Sequence, residues 1–209
     1  MDKCGSDDVG ALRIFLRSKQ VVLAEAFLVT RDFPDIKACN VLMNHYAAEG
    51  SVQKAVALLD FMIARGIEPT ATTYATTCKA MAFHGQVKEV ANLIKTLQDC
   101  RVDVEVNIYF YSALILACSN CRSPDVTTAE RCFQEAALRG LPVQTLKKVL
   151  SKTVGATRSK ELMSWALSLE PSKQLGKSLS QSLAAWGLPE LGRGPQKHLL
   201  CRSKSGTLK

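Results

Sequence analysis

Cysteine and histidine side chains carry the strongest chemistry in this sequence. Cys118 and Cys121 form a C-x-x-C pair, and Cys132 follows eleven residues later. Structural zinc takes four ligands, usually from two such pairs, and no second pair or histidine lies nearby. We therefore expect buried or incidental thiols here, with no metal and no other cofactor.

Catalytic patterns are absent from the sequence. His45, His84 and His198 stand at no spacing to a nucleophile or carboxylate that suggests catalysis. There is no Gly-rich phosphate loop, H-E-x-x-H motif or G-x-S-x-G motif. No acidic cluster suggests a metal-dependent nuclease. We predict that the protein is not an enzyme.

The elements that carry these side chains follow a repeating pattern. Residues 36–70 contain two helical patterns, separated by Gly50 and closed by Gly66-Ile67-Glu68-Pro69. A shift of 35 carries six positions of the second helix and its preceding turn onto residues 71–107. A period of this size with two helices per unit indicates a stacked helical repeat. The predicted fold is all-α, a right-handed α-solenoid of stacked antiparallel helical hairpins.

The predicted buried face of the second helix follows the helical period of 3.6 residues. It consists of Val52, Ala55, Val56, Leu59, Met62 and Ile63. In the degenerate first unit we expect helices at 9–17 and 21–29, the second burying Ala24 and Leu28. In the next repeat, the first helix aligns with that of residues 71–107 at a shift of 37 residues, but the second helix aligns at a shift of 39. The difference indicates a two-residue insertion within 119–125, where Ser123-Pro124-Asp125 would start a helix.

Six segments follow from this periodicity. A hairpin of helices at 144–154 and 157–169 would cap the stack. The tail after Pro171 is basic and rich in Ser, Gly, Lys and Pro, so we expect it to be largely disordered, with one short helix at 179–186. The predicted boundaries are 1–35, 36–70, 71–107, 108–144, 145–170 and 171–209.

Charge is concentrated at the C-terminal end. The net charge is +8, but seven of the 27 basic and one of the 19 acidic residues follow Pro171, so residues 1–170 carry only +2. No apolar run reaches the length of about 18 residues that a membrane span needs, so we expect no membrane partner. The start is acidic and reads Met1-Asp2-Lys3-Cys4-Gly5-Ser6-Asp7-Asp8. It resembles neither a secretory signal nor a transit peptide, which indicates the cytosol or nucleus if this start is genuine.

The repeats resemble the pentatricopeptide repeat family over roughly residues 7–155. The 36–70 unit carries the family pattern at Cys39, Asn40, Leu42, Met43, Gly50, Ala55 and Gly66-Ile67-Glu68-Pro69. Tyr111-Ser112-Ala113-Leu114-Ile115 is a second match. Tetratricopeptide repeats share this length and architecture, but the closing Gly-Ile-Glu-Pro favours the pentatricopeptide family.

This resemblance implies binding of single-stranded RNA, usually in mitochondria or chloroplasts, with one base addressed by each repeat. On the family pattern, Asn40 and Ser112 would hydrogen-bond base edges near the start of the first helix, where the 71–107 unit has Ala75. The residues that would sandwich bases are Lys37, Thr72 and Tyr109. The residues at repeat ends are Asp35, Thr70, Asn107 and Gln144.

Two other hypotheses remain open at this point. In the first, a solenoid of the same shape is a scaffold that binds other proteins through its groove. In the second, the chain is a non-catalytic fragment of a longer repeat protein. The main prediction is a non-catalytic adaptor in RNA processing, stability or translation, with a basic tail that either contacts phosphates or keeps the chain in solution.

Overall fold

The computed structural model describes residues 5–32, 34–99 and 105–169, and all regular structure in these ranges is helical. The α-helices are α1 (Gly5–Arg17), α2 (Val21–Val29), α3 (Ile36–Glu49), α4 (Val52–Ala64), α5 (Ala71–Phe83), α6 (Val87–Asp99), α7 (Ile108–Asn120), α8 (Val126–Leu138), α9 (Lys147–Val154) and α10 (Ala156–Leu167). The predicted all-α fold of repeated hairpins is confirmed, and its right-handed path stays a prediction. Within the described ranges, each helix is too short or too polar to cross a lipid bilayer.

Two compact units divide the chain, Met1–Ala80 and Met81–Lys209. Helix α5 begins in the first unit and ends in the second, so this boundary falls inside the predicted 71–107 repeat. The division into six segments therefore stays a prediction. The predicted helix at 179–186 and the basic tail from 171 onward lie outside the described residues.

The first hairpin has the same internal register as the second. Lys19, between α1 and α2, has a left-handed φ of 60°, and Gly50, between α3 and α4, has a φ of 68°. These turns relate the hairpins by a shift of 31 residues, under which four buried pairs coincide: Asp8 and Cys39, Leu12 and Met43, Ala24 and Ala55, and Leu28 and Leu59. The predicted burial of Ala24 and Leu28 is confirmed. The unit is short because α2 has 9 residues whereas α4 has 13.

The buried face of α4 differs from its prediction by a small rotation. Ala55, Leu59 and Met62 are buried as predicted, but Leu58 joins them at 7% exposure. The predicted members Val52, Val56 and Ile63 are only half-buried. Residues 55, 58, 59 and 62 form the narrower stripe that one neighbouring helix covers, and α4 packs on α3.

In the second unit, α7 is a deeply buried helix. It packs against α6, α8 and α9, and its buried residues are Ile108, Phe110, Tyr111, Ala113, Leu114, Ile115, Ala117 and Cys118. The Asp125 side chain caps α8 by accepting a hydrogen bond from the Thr128 N–H at 3.0 Å. Helix α8 therefore starts just after the predicted Ser-Pro-Asp sequence.

The last hairpin packs on the repeats of the second unit. A 3₁₀ helix at Val143–Leu146 leads directly into α9, and α10 contacts both α8 and α9. Gly155, with a φ of 87°, separates α9 from α10. These elements occupy the stretch in which the sequence pattern indicated a closing hairpin.

Candidate nucleic-acid interface

The residues predicted at repeat ends precede the first helix of the following hairpin. Asp35 caps α3 by accepting a hydrogen bond from the Lys37 N–H at 3.1 Å. Asn107 caps α7 in the same way, accepting from the Tyr109 N–H at 3.1 Å. Both side chains satisfy donors that a helix N-terminus otherwise leaves unpaired. Each therefore has a structural role, whether or not it also contacts a ligand.

Thr70 occupies the corresponding position before α5. Its carbonyl oxygen accepts from the Tyr74 N–H at 3.1 Å, and its own N–H donates to Thr73 Oγ1 at 3.2 Å. A side chain that accepts from the capping residue's N–H three positions earlier forms half of a capping box. Gln144 differs from these three residues, because it is exposed within the 3₁₀ helix rather than preceding it.

Asn40, Ala75 and Ser112 occupy the positions predicted to read base edges, the reading positions of their repeats. A chain of side-chain hydrogen bonds connects Asn40 with the end of its own repeat. Asn40 Oδ1, in α3, accepts from Thr73 Oγ1, in α5, at 2.7 Å. Thr73 Oγ1 lies 3.2 Å from Thr70 Oγ1. Thr73 is fully buried, whereas Asn40 is half-buried and Thr70 is exposed. The structure thus brings Asn40 and Thr70 together through a residue that the sequence analysis did not select.

The residues predicted to sandwich bases are open to solvent. Lys37 and Thr72 are exposed, and Tyr109 is 65% exposed. Each lies three positions before the reading position of its helix, so the two side chains share one helix face. In α3 and α7 this pairs Lys37 with Asn40 and Tyr109 with Ser112.

The other reading positions differ from Asn40. Ala75 is buried at 6% exposure and has no polar group to offer. Ser112 is half-buried, and no hydrogen bond joins its side chain to another residue in the described ranges. Next to Asn40, burial and then the Asp35 carboxylate raise the pKa of the Cys39 thiol to about 11. Cys39 is therefore neutral at physiological pH and adds no charge beside Asn40.

The two units carry separate sets of these residues. Asp35, Lys37, Asn40, Thr70 and Thr72 lie in the first unit, at the starts of α3 and α5. The second-unit set lies at the start of α7 and consists of Asn107, Tyr109 and Ser112. Each set lies at a helix start and combines exposed with half-buried side chains, and among the described residues only the first contains a chain of side-chain hydrogen bonds.

The cysteines considered for zinc lie in an environment that disfavours the thiolate. Burial raises the pKa of Cys118 to about 12 and that of Cys132 well above its ordinary value. Cys121 Sγ lies 3.2 Å from the carbonyl oxygens of both Ala117 and Gly85, as a donor. Metals bind the thiolate form. In the described part of the chain, no three His, Cys, Asp or Glu side chains are grouped so that they could hold an ion.

Comparison with known proteins identifies the repeat. Residues 34–82 match the model of the PPR repeat family. This matched segment is similar to a pentatricopeptide repeat. The matched segment includes α3, α4 and nearly all of α5, so it contains Asn40, Thr70 and Thr73. The resemblance that the sequence showed in residues 36–70 is confirmed.

A second comparison agrees with the pentatricopeptide assignment. A stretch of 75 residues is 32% identical to a protein of Arabidopsis thaliana named as pentatricopeptide repeat-containing. This stretch is 36% of the present chain and 11% of the relative, so the match spans about a tenth of the relative's length.

Thr73 is the residue that sequence reasoning missed. The spacing Thr70-x-x-Thr73 is a recognisable capping pattern for α5, because a hydroxyl stands three positions after a capping threonine. Its hydrogen bond to Asn40 joins residues 33 positions apart. That contact depends on how α3 and α5 pack, and no local pattern encodes it.

Proposed function

We propose that this chain binds single-stranded RNA without catalysis and serves as an adaptor in RNA processing, stability or translation. The observation that carries the proposal is the pairing of an exposed Lys37 with a polar Asn40 on one face of α3, inside the family match. The first helices of the other repeats would present Thr72 and Tyr109 in the same way. By family resemblance, this activity belongs in a mitochondrion or chloroplast.

Each reading residue has a distinct role in this proposal. Asn40 and Ser112 hydrogen-bond the edges of unpaired bases, while Thr70 and Asn107 approach from the side, as Asp35 does at the end of the first repeat. Lys37, Thr72 and Tyr109 flank the bases. Tyr109 is the aromatic among them, and stacking of a base on such a ring contributes about 1–3 kcal/mol. Ala75 contributes no selectivity because its methyl group forms no hydrogen bond.

Charge limits the affinity that we expect. Exposed lysines near the reading face of the first unit are Lys37 and Lys79. If each contacts one phosphate, the logarithm of the association constant falls with a slope of about −1.4 per logarithm of salt concentration. A steeper slope would indicate that the basic tail also contacts the RNA.

The test is a titration of the purified chain with labelled single-stranded RNA pools at low and moderate salt. Binding should weaken with salt, and Asn40→Ala and Ser112→Ala should each weaken it further. Gln53→Ala is the matched control, because Gln53 is an exposed amide on the second helix of the same repeat. Absence of binding at low salt, or equal loss in all three variants, would contradict the proposal.

A protein-interaction scaffold is the second candidate. It is favoured by apolar side chains exposed on the first hairpin: Ile14 at 66%, Val22 at 73%, Leu23 at 50% and Val29 at 53%. Three of the four lie on α2, and a patch of exposed apolar groups often marks a contact site for proteins. The same titration separates the candidates, because a scaffold would show no salt-sensitive RNA binding and would retain its partners in Asn40→Ala.

A further inference from the structure

We propose that Thr73 is a positioning residue that fixes the Asn40 amide with its oxygen held and its NH₂ group available, so that this repeat reads hydrogen-bond acceptors on a base. The inference rests on the proposed RNA-binding function and defines which base atoms the repeat recognises. It assigns a role in recognition to a buried residue that would not itself touch RNA.

The argument begins with the single proton of the Thr73 hydroxyl. A threonine hydroxyl donates one hydrogen bond and accepts up to two. Thr73 Oγ1 lies 2.7 Å from Asn40 Oδ1 and donates to it. It also lies 3.2 Å from the Thr70 N–H and 3.2 Å from Thr70 Oγ1. With its proton committed to Asn40, Thr73 accepts both bonds from Thr70.

The length of the bond between Thr73 and Asn40 favours this orientation of the amide. Hydroxyl-to-oxygen bonds are most often about 2.7–2.8 Å long, whereas amide N–H-to-oxygen bonds are most often about 2.9–3.0 Å. The observed 2.7 Å therefore fits the Asn40 oxygen facing Thr73 better than it fits the nitrogen. Thr73 has no exposed surface, so no water competes for this bond.

The orientation decides what Asn40 offers to a ligand. Its oxygen is engaged by Thr73, while no hydrogen bond joins its NH₂ group to any other residue that the structure describes. An amide nitrogen carries two donors and no acceptor. A base is therefore recognised through a carbonyl oxygen or ring nitrogen, and an exocyclic amino group at the same place is rejected because two donors would face each other.

The experiment measures base preference in the Ser112→Ala background of the full chain, where Asn40 is the remaining polar side chain at the three reading positions. Binding is measured with short oligo(U), oligo(C) and oligo(A). The preference is the dissociation constant of the weakest-bound oligonucleotide divided by that of the tightest-bound one. Thr73→Val removes the hydroxyl, so the amide can rotate, and the ratio should fall at least threefold. Thr73→Ser keeps the hydroxyl and should restore it.

The control substitution is Thr76→Val. Thr76 is also buried in α5, but its hydroxyl donates only to the backbone oxygen of Thr72, at 2.7 Å. This variant should leave the base preference unchanged. In Asn40→Asp, the side chain still accepts from Thr73 but offers no donor, so the order of preference among the three oligonucleotides should change.

A second measurement needs no RNA. If Thr73 and Asn40 are hydrogen-bonded, the shifts in urea midpoint caused by Asn40→Ala and Thr73→Val do not add in the double variant. The double variant then unfolds at a urea concentration close to that of the less stable single variant. Additive shifts would overturn the inference.

The outcomes separate this inference from the proposed function. If Asn40→Ala weakens RNA binding while Thr73→Val leaves the preference unchanged, the inference is wrong and the function stands. If no variant and no parent chain binds RNA, the function is wrong, and the role of Thr73 in recognition is overturned with it.

Discussion

The junction between α3 and α5 differs from the junction between α5 and α7, although each joins the first helices of consecutive repeats. In the first unit, α3 and α5 are tied near their N-terminal ends by side chains, through Asn40 and Thr73 at 2.7 Å. In the second unit, the end of α5 meets the end of α7, where Asn120 Nδ2 donates to the Ala82 carbonyl oxygen at 3.0 Å. The first tie holds Asn40, a proposed reading residue, whereas the second involves the last residue of α7, eight positions after Ser112.

This difference shows which parts of a repeat are set locally. Asp35 and Asn107 accept the same capping bond at the same 3.1 Å, because the backbone N–H that donates it lies only two residues after the cap. The side chains at the reading positions have different surroundings, because those surroundings come from the next helix. A repeat can therefore keep its cap geometry while the surroundings of its proposed base-reading group change.

The largest effect that we predict is at the second junction. Gly85 has a φ of +66°, and a Cβ built on it would lie 2.6 Å from the Asn120 backbone oxygen. Gly85→Ala should therefore lower the free energy of unfolding by about 3 kcal/mol, through backbone strain and the clash together. The control is Gly66→Ala, where φ is +72° and no atom lies within 4 Å of the added Cβ.

Urea denaturation measures both glycine variants. Gly66→Ala should cost only the backbone strain, about 1 kcal/mol. Equal losses in the two variants would mean that the close approach between Gly85 and Asn120 does not hold the second junction together.

The next effect compares the two asparagines directly. Asn120 donates to the Ala82 carbonyl oxygen and accepts from Lys152 Nζ at 2.9 Å, whereas Asn40 makes one such tie, with Thr73. Asn120→Ala should cost about 2 kcal/mol and Asn40→Ala about 1 kcal/mol, because each lost bond leaves a partner unpaired. Thermal or urea unfolding gives both values, and a larger loss for Asn40→Ala would reverse our ranking of the junctions.

A smaller effect concerns RNA affinity at the start of α7. Tyr109 is 65% exposed and offers its ring for stacking. Tyr109→Ala should weaken RNA binding about tenfold, which corresponds to about 1.4 kcal/mol, and Tyr109→Phe should keep most of the affinity. Fluorescence anisotropy with labelled single-stranded RNA measures the change. An equal loss in both variants would assign the effect to the hydroxyl and not to stacking.

The smallest predicted effect is a pH dependence with one contributor in each unit. Glu25 accepts from Lys54 Nζ at 2.9 Å and from Tyr46 Oη at 2.7 Å, and these bonds lower the pKa of Glu25. In the second unit, Glu130 accepts from Arg158 Nε at 2.7 Å, which lowers the pKa of Glu130.

The sign follows from linkage. A carboxyl group whose folded pKa lies below its ordinary value of 4.5 contributes stability above that pH, and the contribution is lost as the pH falls through the folded pKa. Glu25→Gln and Glu130→Gln should therefore each flatten the acid side of the stability profile, by less than about 1 kcal/mol because both pairs are partly exposed. Thermal midpoints measured across the acid range test this, and unchanged slopes in both variants would contradict it.

Sequence patterns predicted the elements better than the contacts between them. Helix α2, the short second helix of the first repeat, and its buried residues Ala24 and Leu28 follow from apolar spacing alone. The face of α4 was nearly predicted, but Leu58 was missed because spacing fixes a periodicity more closely than the rotation of the helix against its neighbour. The cap roles of Asp35 and Asn107 were available from the sequence but were not predicted, and their contacts with a base stay a proposal.

The tie between Asn40 and Thr73 lay beyond sequence reasoning for a physical reason. Thr73 has a local capping role that accounts for its presence, so nothing in the pattern calls for a second partner. Its bond to Asn40 exists only because α3 and α5 bring these side chains together. The repeat pattern alone selects the proposed reading positions, but it does not set the orientation of their polar atoms.

The left-handed turn at Lys19 makes the first hairpin open to a simple enzymatic probe. Ser18, Lys19 and Gln20 are all exposed, and trypsin cleaves after lysine. The corresponding turns at Gly50-Ser51 and Gly85-Gln86 contain no lysine or arginine. Because those two turns offer trypsin no site, the rate at which brief digestion nicks the chain after Lys19 reports on how firmly the first hairpin holds its shape.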